Sequence, residues 1–229
     1  MEKNETFSCT ECGLQSCFRR NNKFPKDCVS ENIVNKDKNA ALEKYTENGI
    51  DRQMALAAAE IEGLYYGKLT RVEETIEFAR RIGAKKIGIA SCVGLIEESR
   101  IFCRVLKAKG LEYYTVACKV GSIDKTDIGI NQELKIQKDS FEAICNPILQ
   151  AKLLNREKTD LNVVIGLCVG HDSLFNKYSK APVTTLIVKD RVLGHNPAAA
   201  LYTSKFYYKK LFEENQSGTT ATGGSLIER

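Results

Sequence analysis

No apolar run in the 229-residue sequence is long enough to span a bilayer. The opening residues, MEKNETFSCTEC, lack the apolar core of a signal peptide. Together these absences point to a cytoplasmic protein that does not enter a membrane. A focused block of one charge is missing too. The net charge is +5, with 34 Lys and Arg scattered among 29 Asp and Glu. Tracking of nucleic-acid phosphates needs a concentrated positive surface, so a nucleic-acid partner is not expected. No Gly-x-Gly-x-x-Gly run follows the first strand and no Walker A loop occurs, which removes the usual dinucleotide and nucleotide signatures. Tryptophan is absent and histidine occurs twice.

Against these absences stand nine cysteines. A reducing cytoplasm does not favour structural disulfides, so clustered cysteines there point to metal or redox chemistry. Scattered ones serve as small buried hydrophobes, and position separates the two roles.

Residues 1–35 are polar and cysteine-rich with little apolar period, and such a segment needs something other than a core to hold it. Helical spacing begins near residue 37. One helix passes through Leu42 and Tyr45, and a second carries Met54, Ala57, Ile61 and Leu64 to Gly67. A third opens at the capping box Thr70 and Glu73 and stops at Gly83. Strands and helices then alternate. Strands are expected at 86–90, 113–117, 161–167 and 184–188. Helices are expected through Ile101 to Leu106, from Asn146-Pro147, from Asp172 to Tyr178, and from Asn196-Pro197 to about Glu214. Residues 121–138 show no period.

The pattern predicts an α/β fold, a three-layer doubly wound domain around a mostly parallel sheet of about four strands. An N-terminal Cys-rich metal knot and extra helices precede it. Residues 1–35 form the Cys-rich segment, 36–214 the α/β domain, and 215–229 a flexible tail rich in Gly, Ser and Thr.

Cys9-x2-Cys12-x4-Cys17-x10-Cys28 sets four soft ligands within twenty residues. Converging thiolates repel one another, and a cation or cluster relieves that repulsion. Zinc ribbons use two Cys-x2-Cys knuckles and this segment has one. An iron–sulfur cluster, [4Fe-4S], is therefore the first expectation for Cys9, Cys12, Cys17 and Cys28, and zinc the alternative.

A second group comes from separate segments. Cys92, Cys118 and Cys168 follow the first three strands, and Cys145 precedes a helix start. In an open parallel sheet all four positions lie on the carboxyl edge, where ligands bind. Their spacings of 26, 27 and 23 residues are each close to one βα repeat. Both histidines, His171 and His195, fall on the same edge. Cys92, Cys118, Cys145 and Cys168 are candidates to hold a cofactor, with Cys168, His171 and His195 as candidate catalytic groups. Lys119 and Asp172 lie beside them, positioned to steer an anion or a proton. Cys103, inside a helix, reads as core.

The N-terminal cysteine spacing, CNPILQA at 145–151, GLCVGHDSLF at 166–175 and APVTTLIVKDRVLGHNPAAALY at 181–202 resemble a family of cysteine-rich proteins of anaerobic microbes described as metal-binding. The resemblance covers nearly the whole chain except the tail. It implies metal binding in an anaerobic setting and supplies no reaction. The expected function is an iron–sulfur protein with redox or sulfur-transfer chemistry at the strand-end rim. Its partner would be an electron-transfer protein or a small-molecule substrate. A zinc-stapled binding protein and a metal-free thiol enzyme are the alternatives, since thiolate and imidazole serve all three.

Overall fold

The computed structural model describes residues 8–19, 23–26 and 28–213. The chain divides into two compact units, residues 1–60 and 61–229. The tail read as flexible from the sequence lies outside the described residues.

In the first unit a 3-10 turn, Cys9–Glu11, is closed by Glu11, whose carboxylate accepts from the Ser8 backbone N–H. Three helices are α1 (Ser16–Arg19), α2 (Asn35–Thr46) and α3 (Ile50–Tyr65), the last of which contains the division between the units. α2 buries none of its residues.

The second unit takes in the end of α3 and continues with α4 (Arg71–Arg81). Thr70 Oγ1 accepts from the Glu73 N–H, and Glu73 Oε2 accepts from the Thr70 N–H at 2.8 Å, the reciprocal cap its sequence predicts. There follow β1 (Lys86–Ser91), α5 (Ile96–Ala108), β2 (Glu112–Ala117), α6 (Pro147–Arg156), β3 (Leu161–Ile165), α7 (His171–Tyr178), β4 (Val183–Ile187) and α8 (Ala198–Tyr202). The four strands are parallel in the order β2-β1-β3-β4. Chain order reverses between β1 and β3, so the crevice of an open α/β sheet falls beyond their carboxyl ends.

Strand alternation sends side chains to two cores. On one face Ile87, Ile89, Val163 and Ile165 pack with Ile76 and Ala79 of α4 and Phe102 and Leu106 of α5. On the other, Ala90, Val116 and Val164 pack with Ala151 and Leu154 of α6 and Phe175 of α7. Each fully buried Leu, Ile or Phe contributes about 1.5–3 kcal/mol, so these two layers carry most of the unit's stability. Cys103 belongs to the first core and its burial pushes the thiol pKa up, as its helical position predicts. Gly88 is required: a Cβ there would lie 2.0 Å from Asn162 Oδ1. That oxygen accepts from Thr159 Oγ1 at 2.7 Å, inside the sheet's second face.

β4 is an edge strand, and α4 reaches over it. Arg71 Nε donates to the Thr185 carbonyl at 2.9 Å and Nη2 to Thr184 Oγ1 at 3.1 Å.

Two segments differ from their sequence reading or add to it. The last helix ends at Tyr202 rather than near Glu214, and only 3-10 and turn structure follows to residue 213. Phe206, Tyr207 and Phe212 are exposed, so no buried stripe rewards a longer helix. Thr203 also turns its hydroxyl back onto the Ala199 carbonyl, competing with the helical ladder. The aperiodic stretch after Gly121 is organised by charge. Asp124 accepts from the Thr126 and Glu142 N–H groups and pairs with Lys135 at 2.6 Å, while Glu142 pairs with Lys125 at 2.5 Å. These contacts hold the Asp124 carboxyl well below the usual range, the Lys135 ammonium foremost.

Candidate functional site

The turn after β1, the end of β2 and the start of α6 bring three sulfurs together. Cys92 caps the 3-10 turn that runs into α5, and its N–H donates to the Ile165 carbonyl at 3.0 Å. Cys118 follows β2, its N–H donating to the Ser91 carbonyl at 2.8 Å. Asn146 then donates to the Cys118 carbonyl at 2.7 Å, tying the α6 start to the β2 end. As a result the Sγ atoms of Cys118 and Cys145 are in hydrogen-bond contact at 3.8 Å, and Cys92 packs in the same core, close enough to Cys118 for each to act on the other's charge. The Val93 N–H points at Cys118 Sγ from 3.5 Å.

Cys118 is the middle thiol and only 1% exposed, whereas Cys145 is half-buried. The hydrogen bond with Cys118 pulls Cys145 down to about 5, helped by Lys119 and His171 against the opposing effect of burial. The neighbouring Cys118 also pulls Cys92 down to about 5, helped by the Gly94 N–H and Lys189. Cys118 itself is pushed up by Cys145 and Cys92, because ionising it would set a third charge between two thiolates. One S–H serves one acceptor at a time, so the trio shares the proton of its central member.

Positive charge surrounds the trio. Lys119 Nζ hydrogen-bonds the Ala143 carbonyl and Arg191 Nη2 donates to Cys168 Sγ at 3.0 Å. That bond, reinforced by the nearby Cys92 and Cys145, raises the Arg191 pKa. Among the described residues no carboxylate forms an ion pair with Lys119, Lys189 or Arg191.

Of the residues read from the sequence, Cys92, Cys118 and Cys145 meet. Cys168 is taken up by Arg191, whose charge also reaches Cys92 and Cys145. His171, the first residue of α7, lies near enough to Cys145 to act on its charge, and its Nδ1 is buried without a partner among the described residues. His195 is engaged elsewhere. Its Nδ1 accepts from the Asp190 N–H at 3.1 Å and its N–H donates to the Asp190 carbonyl, which holds it at φ 68° in the left-handed region. It lines a separate cavity of about 550 Å³ with Arg71, Leu95, Glu98 and Thr185. Asp172 caps locally, accepting from Ser173.

Sequence reading missed Lys189, Arg191 and Gln150. The two cations follow β4 and so lie at a carboxyl end, a signal that was available. Gln150 is wholly buried and gave none. Its Nε2 donates to the Ser91 and Val116 carbonyls at 3.2 and 2.7 Å, clamping the two strand ends that carry Cys92 and Cys118.

In the first unit Cys9, Cys12, Cys17 and Cys28 line one cavity of about 460 Å³ with Gln15 and Pro25. Cys28 is buried, and Cys9 and Cys17 are exposed. Among the described residues no group of three or more Cys, His, Asp or Glu side chains is arranged to hold a metal ion. The donor set facing the N-terminal cavity nevertheless fits a thiolate centre, since every ionisable side chain lining it is a soft sulfur ligand. At the rim, Cys118 and Cys145 are already in contact at 3.8 Å, a spacing that suits a dithiol.

No helix among the described residues is long and apolar enough to cross a membrane. The chain is 48% identical over 205 residues to the uncharacterised protein MJ0455 of Methanocaldococcus jannaschii, covering 90% of this chain and 98% of that protein. A family model described as "Protein of unknown function (DUF1847)" matches residues 28–186, a span that includes Cys28, the rim cysteines and His171 and leaves out Cys9, Cys12, Cys17 and His195. An α/β chain with a strand-end thiol cluster, matched over most of its length by that model, belongs to the DUF1847 family.

Proposed function

We propose that this chain is a metal-binding thiol protein whose rim cysteines carry redox or sulfur-transfer chemistry. The observation that carries the reading is the Cys118–Cys145 sulfur contact, with Cys92 packed in the same core and Lys119, Lys189 and Arg191 near by without carboxylate ion pairs among the described residues. Thiolates are the nucleophilic and redox-active form of cysteine, and nearby lysine and arginine cations without carboxylate ion pairs among the described residues favour them. A small-molecule substrate or an electron-transfer protein is the partner such a rim serves. Cys168 and His171 border it, Cys168 bound by Arg191 and His171 beside Cys145. His195 is a candidate only through its own cavity.

Cys9, Cys12, Cys17 and Cys28 would hold the metal centre, an iron–sulfur cluster first and zinc second. A cluster there would supply single-electron transfer; zinc would supply only structure. The sulfurs come from a 3-10 turn, α1 and a turn after Pro25, so ligation would tie together a segment without a large core. Oxygen-free purification from iron-replete cells, followed by iron, zinc and acid-labile sulfide analysis, tests the assignment. Iron with matching sulfide is expected. Stoichiometric zinc without iron would convert the N-terminal segment to a structural module and leave the rim as a thiol site alone.

A further inference from the structure

The rim sulfurs differ in access, and that difference orders their chemistry. Cys145 is half-buried, while Cys118 behind it is 1% exposed and Cys92 beyond it 8%. A reagent from solvent therefore meets Cys145 before the other two. The backbone bond from Asn146 to the Cys118 carbonyl keeps the two chains adjacent, so a bond between these sulfurs needs only a local side-chain approach.

We infer that Cys145 and Cys118 form a dithiol–disulfide pair acting on small anionic disulfides, with Cys145 attacking, Cys118 resolving and Cys92 accepting the proton of Cys118. This rests on the reading of the rim as the chemical site, and it adds the order of attack and the substrate class.

The first step is attack of the Cys145 thiolate on one sulfur of the substrate disulfide. A mixed disulfide forms on Cys145 and one substrate thiolate leaves. With the Cys145 thiolate consumed, the neighbouring charge that most opposed ionisation of Cys118 is gone, and Cys118 passes its proton to the Cys92 thiolate. As a thiolate, Cys118 attacks Cys145 Sγ and expels the second substrate thiolate. The substrate disulfide is reduced by two electrons to two thiolates. The protein is oxidised to one Cys118–Cys145 disulfide with a neutral Cys92. Two negative charges enter with the protein's thiolates and two leave on the products.

Charge sets the substrate class. Lys119, Lys189 and Arg191 lack carboxylate partners among the described residues, and they stand beside Cys145, Cys92 and Cys168 respectively. These cations give the open side of Cys145 a positive field that draws an anion.

The reduced full-length chain, held without oxygen, is treated with less than one equivalent of dithiobis-nitrobenzoate, a dianionic disulfide, and its peptides are mapped by mass. The expected result is two nitrothiobenzoate ions released per reagent consumed and a Cys118–Cys145 disulfide. Cys118→Ser should stop at a mixed disulfide on Cys145 with one ion released. Cys118→Ala, checked for native circular dichroism, repeats that arrest should the serine variant misfold. A mixed disulfide persisting on Cys145 in the unaltered chain would overturn the resolving role while leaving rim reactivity intact. Reaction at no rim cysteine before denaturation would overturn both this pair and the reading beneath it. Relative to neutral dithiodipyridine, each rate normalised to a free thiol, the anionic reagent should react about tenfold faster at low salt. Equal normalised rates would overturn the anionic substrate.

Discussion

Arg191 and Cys168 meet across the carboxyl edge, the guanidinium Nη2 donating to Sγ at 3.0 Å. The loop after β4 thus closes over the turn after β3. Arg191 is also close enough to act on Cys92 and Cys145, which makes it a shared cation of the rim. Arg191→Ala should slow reaction with the anionic reagent about tenfold and leave a neutral alkylating agent within about twofold. Arg191→Lys should keep most of the anion effect, since it keeps the charge while losing the planar fork. Stopped-flow rates at two salt concentrations make the comparison, and equal slowing of both reagents would assign Arg191 a packing role.

A second expectation concerns pH. Cys145 and Cys92 are lowered to about 5, first by their interaction with Cys118. Thiolate is the reactive form, so alkylation of Cys145 should stay near its plateau from about pH 8 to about pH 6 and fall toward pH 5. The same shifts act on stability. Between the folded value and the ordinary thiol value the unfolded chain binds more protons, so these two groups make stability rise with pH across that window. Cys118, raised, works the other way and withdraws stability above the ordinary thiol range. Urea midpoints against pH for the unaltered chain and a Cys92→Ser, Cys145→Ser double variant isolate the contribution. Parallel curves would remove it.

Gln150 separates positioning from stability. Gln150→Leu loses two hydrogen bonds worth about 1 kcal/mol each and relieves an unpartnered buried Oε1 that costs about 1–3 kcal/mol. These effects offset, so the net change in unfolding free energy should lie within about 1 kcal/mol. The thiolate absorbance and the Cys145 alkylation rate should change, because the strand ends bearing Cys92 and Cys118 lose their clamp. A silent thiol spectrum would make Gln150 a core residue only.

Cys12→Ser tests the first unit. The variant should lose the N-terminal metal and expose residues 8–30 to protease, while the four-stranded sheet keeps its circular dichroism and cooperative unfolding. Cooperative loss of the whole fold would show that the segment is integral to the larger core.

Much of this was legible from pattern. Alternation of short apolar runs with capped helices gave the parallel sheet, because Ile87 and Ile89 must be covered on one face and Ala90 on the other. Topology then carried Cys92, Cys118 and Cys145 to one edge, since strand ends in such a sheet share a side. The finer arrangement depended on contacts with no local signal. Gln150 looks like an ordinary helix residue until two carbonyls are found at its amide. His195 has the right position for the rim, yet its bonds to Asp190 turn it aside. The last helix failed because Phe206 and Tyr207, apolar by composition, find nothing to pack on among the described residues.

Arg71 has a consequence beyond the site. β4 ends the sheet, and a bare edge offers its carbonyls as a template on which a strand of another molecule can zip. Because the guanidinium of Arg71 occupies the Thr185 carbonyl and the Thr184 hydroxyl, an incoming strand must first displace a charged, bidentate occupant. One residue at the start of α4 thereby caps the edge with a cation that any added strand would have to move before it could pair.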